Sequence, residues 1–147
     1  MAATLEQMLL TPEVQPRVVA DCMALVEHEL ASKSGVSGVA VKVAYKAVTT
    51  FAPGYYKDTI ESMLPDMADK LQPFWADFQA SGGADFGDYL AKRNDEVGPA
   101  MLAVTDHMAS ISKRAVIIKA YQAVRGGAGK HIEAALPSLG AMIQKYA

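Results

Sequence analysis

A single cysteine, Cys22, is all the thiol this chain has. No intrachain disulfide can form, so the fold must rest on packing, and a reducing cytoplasm is the expected location. Histidine is nearly as scarce. His28, His107 and His131 each lack a second His or Cys at ligand spacing. Glu27-His28-Glu29 is consecutive, and consecutive helix residues point ~100° apart, so it cannot converge on an ion. The Glu-x-x-His pairs of a di-iron bundle are missing too. No metal and no other cofactor is expected. Nor does any apolar run approach the ~20 residues of a membrane span. Positive charge is absent before Arg17, where a secretory leader would need it.

Charge of either sign is modest, with 20% Asp, Glu, Lys and Arg and a net charge of -2. A general nucleic-acid binder is usually basic overall, so nucleic acid is not an expected partner. The charge is uneven, however. From His107 to Ile132 there is no acidic residue, while Lys113, Arg114, Lys119, Arg125 and Lys130 all fall there. These five mark a candidate surface for an anionic partner, weighed against a plain solvated helix face.

What the chain does have is aliphatic bulk: 51% hydrophobic residues and eight methionines in 147 residues. That length suits one domain with a core of its own. The apolar residues recur at helical spacing. Thr4-Leu5-Glu6-Gln7 is a capping box, and Thr11-Pro12 is a second start signal. Val18, Val19, Cys22, Leu25, Val26 and Leu30 share one face of a helix ended by Ser34-Gly35. Ser37 is expected to cap the next, with Ala40, Val43, Ala44, Ala47, Val48 and Phe51 facing inward and Pro53-Gly54 as the stop.

Ile60, Met63, Leu64, Met67, Leu71, Phe74, Trp75 and Phe78 then hold one helical phase, interrupted by Pro65 and Pro73. Proline clashes with the carbonyl four residues back, so kinks or breaks are expected near Leu64 and Gln72. Beyond a Ser81-Gly82-Gly83-Ala84 turn, Asp85, Asn94 and Ser112 start further helices, the third closed by Gly126-Gly127. The last helix runs from about Lys130 to Tyr146 with a kink at Pro137. The expected fold is all-α: residues 1–147 form one domain, a compact irregular or orthogonal bundle of about seven or eight helices.

Candidate chemistry is thin. Val124-Arg-Gly-Gly-Ala-Gly-Lys-His131 resembles a phosphate loop, but Val124 stands where that motif needs glycine. His131 stands where it needs Ser or Thr, and helical rather than strand periodicity precedes it. The stretch is expected to end one helix and start another, with Lys130, His131 and free amides as a weak anion site. Asp85-Phe86-Gly87 matches a kinase magnesium triplet in a chain with no other kinase feature. Cys22 sits on an apolar face, where a thiol is inert. Asp66 and Asp69 pair at i, i+3 on the outer face.

The apolar surplus carries two expectations. A self-associating interaction module, most simply a homodimer, would bury it between copies. Alternatively, a lipid-like ligand would lie inside the bundle near Met63, Met67, Phe74, Trp75 and Phe78. No catalytic set emerges, so an enzyme is not expected.

Three stretches, Leu71–Leu90, Glu96–Asp106 and His131–Gly140, resemble an uncharacterised family of small proteins from high-GC Gram-positive bacteria. The resemblance runs over most of the chain. It implies a bacterial cytoplasmic protein and brings with it no catalytic residue.

Overall fold

The computed structural model describes residues 4–32, 35–51 and 53–147. These residues form seven helices and no strand: α1 (Leu5–Leu9), α2 (Gln15–Ser32), α3 (Gly35–Phe51), α4 (Pro53–Ala80), α5 (Phe86–Lys92), α6 (Asn94–Ile111) and α7 (Ala115–Gln144). The expected all-α bundle is what forms. No described helix is long and apolar enough to cross a membrane.

Local signals act where the sequence places them. Thr4 Oγ1 accepts the Gln7 amide at 3.2 Å, and Gln7 Oε1 accepts the Thr4 amide at 3.0 Å, completing the capping box. Asp85 caps α5 by accepting the Asp88 amide. After α4, the Gly83 amide reaches the Phe78 carbonyl and the Gly82 amide reaches the Gln79 carbonyl. With Gly82 at φ +70°, this is a Schellman stop, and it suits a residue without a Cβ.

Several boundaries differ from expectation. Gly35 opens α3, so Ser37 lies within that helix and does not cap it; Ser34 lies outside the described residues. Pro53 opens α4, where its missing N–H costs nothing. Arg93 precedes α6, and Asn94 is its first residue. Ser112 ends α6, and its hydroxyl accepts the Arg114 amide ahead of α7.

The larger differences in α4 and α7 concern helix breaks, not kinks. Both run unbroken through their prolines, Pro65 and Pro73 in α4 and Pro137 in α7. Gly126-Gly127 does not close a helix either, because α7 is one helix of 30 residues. An internal proline costs ~3 kcal/mol and a helical glycine ~1 kcal/mol. Burial on both sides of each weak point offsets this. Leu64, Leu71 and Trp75 flank the α4 prolines, and Ile117, Ala128, Leu136 and Ile143 hold α7.

Helices α2, α4, α6 and α7 form a ring. α2 packs on α4, α4 on α6, α6 on α7, and α7 back on α2, while the diagonal pairs have no comparable contact. α1 docks on α4, where the Leu5 amide donates to Gln72 Oε1 at 2.8 Å. α5 lies along α7, tied by Gln144, which accepts the Phe86 amide and donates to the Ala84 carbonyl. α3 covers α4 and α7 on the other side. Only one flank of α3 is covered. Val43, expected inside, is 63% exposed and Val39 59%.

Candidate functional site

Between the four helices of the ring lies a half-open apolar pocket of about 170 Å³. Its place follows from the topology, since neighbouring helices pack around the ring and opposite ones have no comparable contact. α2 contributes Cys22, Leu25 and Val26, and α4 contributes Ile60, Met63, Leu64 and Met67. Met101, Val104 and Thr105 come from α6, and Ile132, Ala135, Leu136 and Leu139 from α7. Each set recurs at three and four residues, so each helix turns its single apolar stripe inward.

Thr105 carries the only hydroxyl in this wall among the described residues, and it is already engaged. Its Oγ1 donates to the Leu102 carbonyl at 2.9 Å and lies 2.8 Å from the Tyr121 hydroxyl. Tyr121 in turn donates to Asp106 Oδ1 at 2.5 Å. No charged side chain among the described residues lines the pocket. Burial pushes the Cys22 thiol up to about 12, with the Asp21 charge adding to the effect, so it stays protonated at neutral pH. Among the described residues this wall offers shape and dispersion, with no ionised group facing the pocket.

The apolar residues singled out from the sequence separate into two places. Met63 and Met67 line the pocket. Trp75 and Phe78 instead join Phe86 and Tyr89 in an aromatic cluster between α4 and α5. Trp75 and Phe86 meet edge to face with centroids 4.9 Å apart, and Phe78 and Phe86 lie 5.1 Å apart. Phe74 is half-buried against the same core. The Asp85-Phe86-Gly87 triplet belongs to this cluster: Asp85 caps the helix, Phe86 is fully buried, and Gly87 lies against the α7 backbone.

The five cations also divide. Lys113 and Arg114 are exposed in the connection before α7, while Lys119 and Lys130 lie outward on α7 itself. Arg125 turns toward α6, with its Nε 2.7 Å from Asp106 Oδ1 and its Nη2 3.1 Å from Oδ2. That pairing draws the Asp106 carboxyl below its ordinary value. The glycine-rich stretch lies within α7, where its amides serve the helix, so no amide site for an anion forms there. His28 and His107 are exposed and His131 is half-buried. Asp69 is exposed and Asp66 half-buried, and among the described residues no three of His, Cys, Asp and Glu come together as metal ligands would.

Two features escaped the sequence reading. Val97 and Val104 are buried core residues on α6, and their spacing of seven, with Met101 between, is a signal that was there to use. Lys42 and Lys46 are exposed on α3, a helix that packs on α7, the helix that carries Lys119.

No curated protein and no solved structure matches the chain. A family model matches residues 5–147, nearly the whole molecule, and so this ring of helices belongs to DUF6918, a family of unknown function.

Proposed function

We propose that the protein is a non-enzymatic binder of a small, uncharged, largely apolar molecule held at the centre of the α2–α4–α6–α7 ring. The observation that carries this reading is the pocket wall, built of aliphatic and methionine side chains with its one hydroxyl engaged elsewhere. A dry apolar cavity of ~150 Å³ is large enough for benzene. At about 170 Å³ the pocket suits a small aromatic compound or the end of an alkyl chain. Met63, Met67 and Met101 give it adaptable walls. An ionised ligand is disfavoured, since no countercharge lines the wall and burying a bare charge is costly. A reducing cytoplasm suits the single buried thiol.

Self-association, the other role suggested by the composition, draws less support. None of the seven described methionines is exposed, so the apolar surplus lies largely inside the protomer.

The test is a titration with toluene, read on methionine methyl NMR signals. Saturable shifts are expected at Met63, Met67 and Met101 and not at Met8 or Met142. Ala135→Phe, which adds a ring to the wall, should abolish them while the fold persists. Shifts that never saturate, or that survive Ala135→Phe unchanged, would rule the pocket out as the site.

A further inference from the structure

Two outward helix stripes lie side by side on the face opposite the covered flank of α3. On α3 the exposed positions are Val39, Lys42, Val43, Lys46 and Thr50, at the three- and four-residue steps of one helix face. On α7 they are Ala115, Lys119, Gln122, Ala123, Gly126 and Lys130. The two helices pack together, and Val43, Ala47, Ala115, Lys119 and Ala123 line the shallow apolar groove between them. Lys113 and Arg114 stand at the start of α7, and Ile111, 62% exposed, precedes them. Val39, Val43 and Ile111 are the large hydrophobics exposed among the described residues, and all three keep basic company.

The charge of the two segments that form this side is of one sign up to Ile132, and the exposed Glu133 follows at the end of the α7 stripe. Residues 35–51 and 107–132 hold seven of the 14 Lys and Arg and none of the 16 acidic residues, leaving a net -9 on the remainder of the chain. Acids reach only the margins: Glu133, three residues beyond Lys130 on α7, lies beside Gly98 of α6. Asp106 pairs with Arg125, Glu27 accepts from the Tyr45 hydroxyl, and Asp58 shares a hollow with Lys113.

We propose that this α3–α7 face docks on the surface of an anionic lipid bilayer. Val39 and Val43 enter between headgroups, and Lys46, Lys119 and Lys130 reach lipid phosphates on flexible stems. A second copy fits poorly, because a two-fold contact sets like lysines against each other. Nucleic acid fits poorly as well. The stripes hold no aromatic to stack on a base, and their exposed valines would face phosphates. A bilayer is the anionic partner that uses both the valines and the lysines.

The experiment is flotation of the full chain with vesicles of pure phosphatidylcholine and of phosphatidylcholine with 30% phosphatidylglycerol. Binding is expected only to the anionic vesicles, falling steeply with salt. Near an anionic membrane each lysine contributes about fivefold in affinity, so K46E/K119E should weaken binding by about 30-fold or more. The milder K46Q/K119Q should lose less, and V39S/V43S should weaken binding several-fold with its salt dependence intact. All these positions are exposed, so the melting temperature should hold. Absence of binding to anionic vesicles overturns the proposal. So does binding indifferent to K46E/K119E and K46Q/K119Q, and so does a dimer in sedimentation that K46E/K119E dissolves. Saturable toluene shifts in K46E/K119E would show that the pocket and the face stand or fall separately.

Discussion

A Cβ on Gly140 would stand 2.4 Å from the Cα of Gly87, closer than real Cβ atoms approach anything. The contact is mutual, since a Cβ on Gly87 would meet the Pro137 carbonyl oxygen at 2.3 Å. α5 and α7 touch backbone to backbone here, which lets Phe86 and Ile143 bury completely on either side. Backbone cannot yield as a side-chain tip can. Gly140→Ala should therefore destabilise the protein by ~1–3 kcal/mol, the usual cost of overpacking. The check is urea denaturation, and an unchanged midpoint would refute the close approach.

The glycines of the α7 midpoint behave in the opposite way. A Cβ at Gly126 or Gly129 meets nothing within 4 Å, and neither residue needs a positive φ. Gly126→Ala and Gly129→Ala should each stabilise by ~0.5–1 kcal/mol through helix propensity and reduced unfolded-state entropy. Gly82 is the instructive contrast. Its surroundings are also open, but its φ of +70° penalises a Cβ, so Gly82→Ala should cost ~1 kcal/mol. Thermal melts of the three variants should move in these opposite directions.

Asp21 anchors the end of the chain to α2. It accepts from Lys145 Nζ at 2.8 Å and from the Tyr146 hydroxyl. These two hydrogen bonds, Lys145 first, hold its carboxyl below the ordinary value. A depressed folded pKa stabilises the protein above the unfolded value of ~3.9 and loses that contribution as pH falls through the folded one. Asp21→Asn should thus lower the urea midpoint at pH 7 and have a smaller effect near pH 3. An equal effect at both would mean the carboxylate's charge is irrelevant.

Cys22 is buried in the pocket wall with its thiol pushed up to about 12. Thiolate is the reactive form, so native protein at pH 7.5 should react with iodoacetamide far more slowly than a free thiol. Full reactivity should return in denaturant. Rapid labelling of folded protein would contradict the burial.

Features set by adjacent residues were legible in the sequence. Thr4 and Gln7 cap α1, Asp85 caps α5, and the inward stripes of α2 and α4 fall where periodicity puts them. Misreadings arose where distant packing overrides a local signal. Gly126-Gly127 and Pro65 say stop, yet buried residues on both sides of each keep one helix. The candidate pocket divided for a geometric reason. A helix of 28 residues is ~42 Å long, so residues sharing its stripe have different neighbours. Met63 and Met67 meet α2 and α6, whereas Trp75 and Phe78 meet α5. Lys42 and Lys46 could not be grouped with the α7 lysines from the sequence, because only the docking of α3 on α7 brings their helices together.

The glycine-rich middle of α7 has a kinetic meaning as well. Before it, Ile117 and Tyr121 lie with α3; after it, Leu136 and Ile143 lie in the central core. Gly126, Gly127 and Gly129 join these two anchored halves where helix propensity is lowest, and only Ala128 among its neighbours is buried. In deuterated water the helix should open first in its interior rather than only at its ends. The amides of residues 127–131 should exchange sooner than those of 118–122 or 136–143, as a short bubble between two protected segments.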